Sequence, residues 1–130
     1  LFKNQENIKI IKDAMYSSSN EPGGTSYRSR LEDKRFTFAG KTGSSQIRKF
    51  TEEQREAEVK QEQLKYENRD HALFIAFAPV SDPKYAISVV VEHGGTGSSA
   101  AAPIAKKVIK KVLERHSLRQ SINNLPGDSI

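Results

Sequence analysis

His71-Ala72-Leu73-Phe74-Ile75-Ala76-Phe77-Ala78-Pro79 is the most hydrophobic stretch of the chain, and its reading decides the fold. The apolar run is near-continuous and bounded by Asp70 and Pro79, which suits a strand flanked by others and covered on its faces. Ser81-Asp82-Pro83-Lys84 then makes a tight turn. Tyr85-Ala86-Ile87-Ser88-Val89-Val90-Val91-Glu92 follows, rich in β-branched residues, so the two runs form an antiparallel hairpin.

Downstream, Gly94-Gly95-Thr96-Gly97-Ser98-Ser99 ends the second strand and leads into a helix expected over about 100–115. There Ile104, Val108 and Val112 recur at helical spacing, while Lys106, Lys107, Lys110 and Lys111 project away. A basic face of this kind suits anionic lipid or nucleic acid, but a solvated helix face is the favoured reading. Residues 117–130 show no periodicity and are expected to form a flexible tail.

Upstream, 47–70 is strongly polar and reads as a helical insertion, with Thr51-Glu52-Glu53-Gln54 at capping-box spacing. Before it, Phe36-Thr37-Phe38-Ala39-Gly40-Lys41-Thr42-Gly43-Ser44-Ser45-Gln46 begins by alternating aromatic and polar residues, as a half-buried strand does. It ends in the parts of an anion site. The first helix is expected over about 4–17, with Ile8, Ile11 and Met15 on its apolar stripe, and Glu21-Pro22-Gly23-Gly24 marks its end.

The order is therefore helix, strand, polar insertion, strand, strand, helix. This is an α+β arrangement: a three-stranded antiparallel sheet with the N- and C-terminal helices on one face. Residues 1–116 form one unit, consistent with a length of 130 residues. A balance of 21 Lys+Arg against 16 Asp+Glu gives +5, but the basic residues are dispersed, so no nucleic-acid partner is expected. The absence of cysteine rules out disulfides and thiolate metal sites. No apolar run approaches the roughly 20 residues that span a bilayer. The chain opens Leu1-Phe2-Lys3, without an initiator methionine, and is expected to be part of something longer that carries any anchor.

Several motifs invite false readings. Gly40-Lys41-Thr42 mimics the end of a phosphate-binding loop, but Arg35 stands where its first glycine is needed and Gly43 where its helix begins. Gly95-Thr96-Gly97-Ser98-Ser99-Ala100 mimics a dinucleotide fingerprint, yet no parallel strand with a terminal acid follows. His71, His93 and His116 lack metal-ligand spacing, and no metal or cofactor is expected. The carboxylate reading of Lys41-Thr42-Gly43 fares better, since a cation, a hydroxyl and a clear strand edge suit the terminus of an extended peptide lying antiparallel to that strand.

Ala39-Gly40-Lys41-Thr42-Gly43-Ser44-Ser45-Gln46 resembles the K-T-G motif of penicillin-binding proteins and serine β-lactamases. With Gly24-Thr25, the 73–79 strand, Asp82-Pro83-Lys84 and Glu92-His93-Gly94-Gly95 in this order, about 4–113 resembles the C-terminal third of the transpeptidase domain of class B penicillin-binding proteins, of the penicillin-binding protein 2 type. The resemblance implies part of a transpeptidase or serine β-lactamase-like fold, and an intact enzyme that cross-links peptidoglycan stem peptides through a serine acyl-enzyme and is trapped by β-lactams. It implies that Lys41 supplies positive potential and a proton-network link. Thr42 would bond the substrate carboxylate, helped by the Ser44 hydroxyl. The Ser44 backbone N–H would form half of the oxyanion hole, and Gly43 would keep the edge clear.

The family's S-x-x-K and S-x-N elements are not met. Ser81-Asp82-Pro83-Lys84 is a hairpin turn, and Ser18-Ser19-Asn20, expected in the loop after the first helix, lies too close to Lys41. The nucleophile is expected outside this chain, which alone is expected to be inactive. The resemblance also implies a periplasmic setting at the bacterial inner membrane, other cell-wall synthesis proteins as partners, and a missing strand beside 85–92. That open edge leads to the expectation of a homodimer, through edge pairing or segment exchange. The alternative is a standalone basic module binding an acidic partner.

Overall fold

The structure is a computed structural model of the chain that describes residues 4–47 and 60–123. Helix α1 spans Gln5–Asn20, strand β1 Ala39–Ser45, β2 His71–Ala78, β3 Tyr85–Val91 and helix α2 Ala102–Asn123. Short 3-10 turns at Tyr27–Ser29, Lys34–Phe36, Gln61–Gln63 and Tyr66–Asn68 connect them, and one wider turn, Gly97–Ala101, opens α2. The strands lie in the order β1-β2-β3, all antiparallel, with Lys41 opposite Ile75 and Ile75 opposite Ser88. The α+β class, the three-stranded sheet and the 71–92 hairpin are those expected.

Burial alternates along β2. Ala72, Phe74, Ala76 and Ala78 are buried on one face, where Ala101, Ala102, Ala105, Ile109 and Leu113 of the α2 segment cover them. Alanines on both sides allow the helix to lie close to the sheet, and Phe38 and Phe74 fill the remaining space edge to face, 6.1 Å apart. Burying each such aromatic contributes about 1.5–3 kcal/mol.

The expected placement of both helices on one face is not what is observed. α1 runs beside the outer edge of β1 and reaches the opposite face, where Lys12 Nζ lies 5.9 Å from the Phe77 ring centre and Met15 borders a hollow with Ile75, Phe77 and Ala86. The reason lies in the 71–79 run. Its apolar residues occupy both strand parities, so both faces gain from cover.

Three boundaries also differ. β1 begins at Ala39 rather than Phe36, because Asp33 accepts the Arg35 N–H (3.0 Å) and holds 34–36 in a turn. α1 continues to Asn20, placing Ser18-Ser19-Asn20 in its last turn rather than in the following loop. α2 runs to Asn123, past the expected end near Arg115 and into the stretch expected to be a flexible tail. Residues 116–123 contain no glycine or proline to stop it, and Leu118 and Ile122 stay exposed there, leaving no burial pattern to read. The helix start expected at Thr51 lies outside the described residues. Within 60–70 the polar insertion forms two 3-10 turns, anchored where Gln61 exchanges two 2.9 Å hydrogen bonds with Asp70.

Candidate functional site: the outer edge of β1

Along β1 the backbone groups of odd-numbered residues face β2 and those of even-numbered residues face outward. Hydrogen bonds at the strand's start fix this parity. Thr37 C=O accepts from Val80 N–H on the β2 side (2.9 Å), whereas Phe38 C=O accepts from the Asn20 side chain on the outer side (2.8 Å). Gly40 N–H donates to Ser19 Oγ (3.0 Å), whose hydroxyl lies 3.3 Å from Gly40 C=O. The end of α1 thus saturates the first half of the β1 edge as a neighbouring strand would.

Beyond Gly40 the edge opens. The N–H groups of Thr42 and Ser44 share the outward parity, and among the described residues neither has a recorded partner on that side. Lys41 is exposed, and its Nζ donates to Thr42 C=O (2.9 Å). Thr42 Oγ1 lies 3.1 Å from Thr25 Oγ1, which in turn lies 3.2 Å from Ser18 Oγ. Ser44 is exposed. Lys41, Thr42, Gly43 and Ser44 therefore sit together on one solvent-facing strip that presents an ammonium, hydroxyls and backbone donors. This arrangement suits a carboxylate attached to an extended chain.

Gly43 is not itself crowded by the described residues. A Cβ there would meet only Leu73 Cβ at 3.4 Å, an ordinary contact. The close approach belongs to Gly97, where a Cβ would strike the Leu73 carbonyl oxygen and lie 2.7 Å from that of Gly43. The turn opening α2 is thereby seated directly on the β1–β2 backbone.

Ser19, Asn20 and Thr25 were not singled out as site residues from the sequence. Ser18-Ser19-Asn20 matches S-x-N by chance, and its contacts show what it does. The signal available was Gly24, where a Cβ would collide with the Ser18 carbonyl oxygen and lie 2.6 Å from that of Ser17. That glycine folds the chain back so that Thr25 returns to the strand.

The other candidates lie elsewhere. Ser81-Asp82-Pro83-Lys84 is a hairpin turn, with Lys84 paired to Asp82 at 2.7 Å. In the glycine-rich loop, Thr96 Oγ1 accepts the Ser99 N–H (3.4 Å), a turn at the entry to a helix. His71 and His93 do come together, their rings 4.9 Å apart, with His93 N–H donating to His71 Nδ1 (2.9 Å). Among the described residues no three metal-binding side chains cluster. The resolved pKa displacements belong to Asp33 and Arg35: the side-chain hydrogen bond between them holds the Asp33 carboxyl below its ordinary range and raises Arg35. Both side chains are exposed, away from the strip.

Residues 3–110 match the model of the penicillin binding protein transpeptidase domain. The chain belongs to this transpeptidase family. Its relatives include peptidoglycan D,D-transpeptidase MrdA of Haemophilus influenzae, 36% identical over 118 residues that cover 91% of this chain and 18% of the relative. MrdA of Escherichia coli K12 is 29% identical, covering 93% and 18%. Among solved structures, penicillin-binding protein PBP2 of Helicobacter pylori, in complex with MreC, superposes with a TM-score of 0.70 at 31% identity, over 88% of this chain and 18% of that one. PBP2 of Pseudomonas aeruginosa, in complex with WCK 5153, gives 0.65 at 28%, covering 87% and 21%. The chain thus spans about a fifth of these relatives. The transpeptidase match includes the Lys41–Ser44 strip, the β2–β3 hairpin and the first turns of α2.

Proposed function

We propose that this chain supplies the carboxylate-binding strand of a peptidoglycan D,D-transpeptidase. In the whole protein a serine attacks the penultimate D-alanine carbonyl of a stem peptide, the terminal D-alanine leaves, and an amine of a second peptide takes the acyl group. A β-lactam stops at the acyl-enzyme. Lys41 supplies positive potential and a step in the proton network, Thr42 bonds the terminal carboxylate, and Ser44 contributes its N–H to the oxyanion hole and its hydroxyl to the carboxylate. Gly43 keeps the strip between them clear.

The observation that carries this reading is the division of the β1 edge at Gly40. One half is closed by Ser19 and Asn20, while the other offers Thr42 and Ser44 to an incoming extended peptide. This reading puts the nucleophile outside the chain, and the S-x-x-K match at 81–84 folding as a hairpin turn supports it. The test is acylation of the full-length protein by penicillin. Thr42→Val is expected to slow it selectively for acyl donors that carry a free carboxylate, and an equal effect on carboxylate-free donors would refute the assignment.

The setting that fits is the periplasmic face of the inner membrane, alongside other cell-wall synthesis proteins. Among the described residues no helix is long and apolar enough to cross a membrane. Among the described residues β3 pairs with β2 alone, and Val90 and Tyr85 are exposed. The chain in isolation is accordingly proposed to form a homodimer at this edge or by segment exchange. Light scattering at high concentration reads the mass directly, and a monomer would contradict the pairing.

A further inference from the structure

We propose that Thr25 is a positioning residue for the carboxylate-binding hydroxyl of Thr42. The inference rests on the reading of Thr42 given above. Three hydroxyls form a chain, Ser18 Oγ to Thr25 Oγ1 at 3.2 Å and Thr25 Oγ1 to Thr42 Oγ1 at 3.1 Å. Each hydroxyl has one proton to donate and two lone pairs to accept with. The two contacts within the chain use two of the three protons, and one remains for a group outside.

Direction decides which residue keeps that proton. If Ser18 donates to Thr25 and Thr25 to Thr42, the free proton is on Thr42, at the open half of the β1 edge. If the chain runs the other way, Thr42 spends its proton on Thr25 and meets an anion with lone pairs only. A carboxylate selects the first direction, because a hydrogen bond to an ionised acceptor is stronger than one between neutral groups. Thr25 thus accepts a hydrogen bond from Ser18 and donates one to Thr42, fixing the Thr42 hydroxyl as a donor toward the carboxylate.

The geometry around Thr25 is built to hold it there. Gly24 packs on the carbonyls of Ser17 and Ser18, where any Cβ would collide. Gly24 N–H donates to Glu21 C=O (3.0 Å), Ser26 N–H to Ser18 C=O (3.1 Å), and Tyr27 N–H to Gly24 C=O (3.1 Å). The buried Ser26 hydroxyl donates to the same Ser18 carbonyl (3.1 Å). Thr25 itself is exposed, so its hydroxyl has no packing role to lose.

The test compares acylation rates of the full-length protein by benzylpenicillin and by its methyl ester, which lacks the anion. Thr25→Val keeps shape and removes the hydroxyl. It is expected to lower the acid-to-ester rate ratio roughly three- to tenfold, the worth of one hydrogen bond, and Thr25→Ser is expected to restore the ratio. Thr42→Val is expected to lower the ratio at least as far, with Thr25→Val adding nothing further in the double variant. An unchanged ratio in Thr25→Val beside a lowered one in Thr42→Val overturns the role of Thr25 and leaves that of Thr42 standing. An unchanged ratio in Thr42→Val overturns both.

Discussion

Ser19 and Gly40 are joined twice, by the Gly40 N–H donating to Ser19 Oγ at 3.0 Å and by the Ser19 hydroxyl facing Gly40 C=O at 3.3 Å. A single helical side chain thereby does the work of a neighbouring strand. Ser19 is fully buried, and Ser26 Oγ, 3.0 Å away, gives its own proton to Ser18 C=O. Among the described residues it is therefore Ser19 that satisfies both outward groups of Gly40.

Removing that hydroxyl leaves a backbone donor and acceptor without their partner. Ser19→Ala is expected to destabilise the fold by about 1–3 kcal/mol, the cost of an unsatisfied buried group. Urea unfolding of the chain measures it. No shift in the midpoint would mean that water reaches the edge and that α1 does not close it.

Gly97→Ala probes the other side of the strand. The added methyl meets the carbonyls of Leu73 and Gly43, which are backbone atoms held in the β1–β2 ladder and unable to yield. A cost of about 1–3 kcal/mol is expected for such overpacking. Gly43→Ala, whose Cβ finds ordinary contact at 3.4 Å, is expected to cost less by the same measurement. The reverse order would contradict the assignment of the close approach to Gly97.

At Ser44 the side chain and the backbone can be separated. Its N–H points away from β2, so proline there removes no ladder bond and is compatible with an edge strand. In the full-length protein Ser44→Pro is expected to slow acylation by about 10²–10³-fold, as loss of one oxyanion donor does. Ser44→Ala, which keeps the N–H, is expected to cost far less. Equal losses in the two variants would place the contribution in the hydroxyl alone.

The sequence carried the sheet and the site strip because both depend on local pattern. The 71–79 run and the β-branched 85–92 run specify their own hairpin, and Lys41-Thr42-Gly43-Ser44 form a contiguous motif on one strand. The placement of α1 was not legible in the same way. It is fixed by Ser19 and Asn20 meeting Gly40 and Phe38, pairs about 20 residues apart whose polar types are equally at home in a loop. Thr25 was hidden for the same reason, because its partner Thr42 is set by how Gly24 folds back rather than by spacing. The end of α2 was missed because Leu118 and Ile122 bury nothing, and burial periodicity is silent where a helix extends into solvent.

On the proposed function this chain holds one wall of a transpeptidase site, with the carboxylate-binding strand, while the acylated serine lies elsewhere in the protein. Mass spectrometry after incubation with penicillin tests it most directly. The 130-residue chain is expected to keep its unmodified mass, whereas the full-length protein gains one penicillin on a serine outside these residues. A penicillin adduct on any serine of this chain alone would contradict it.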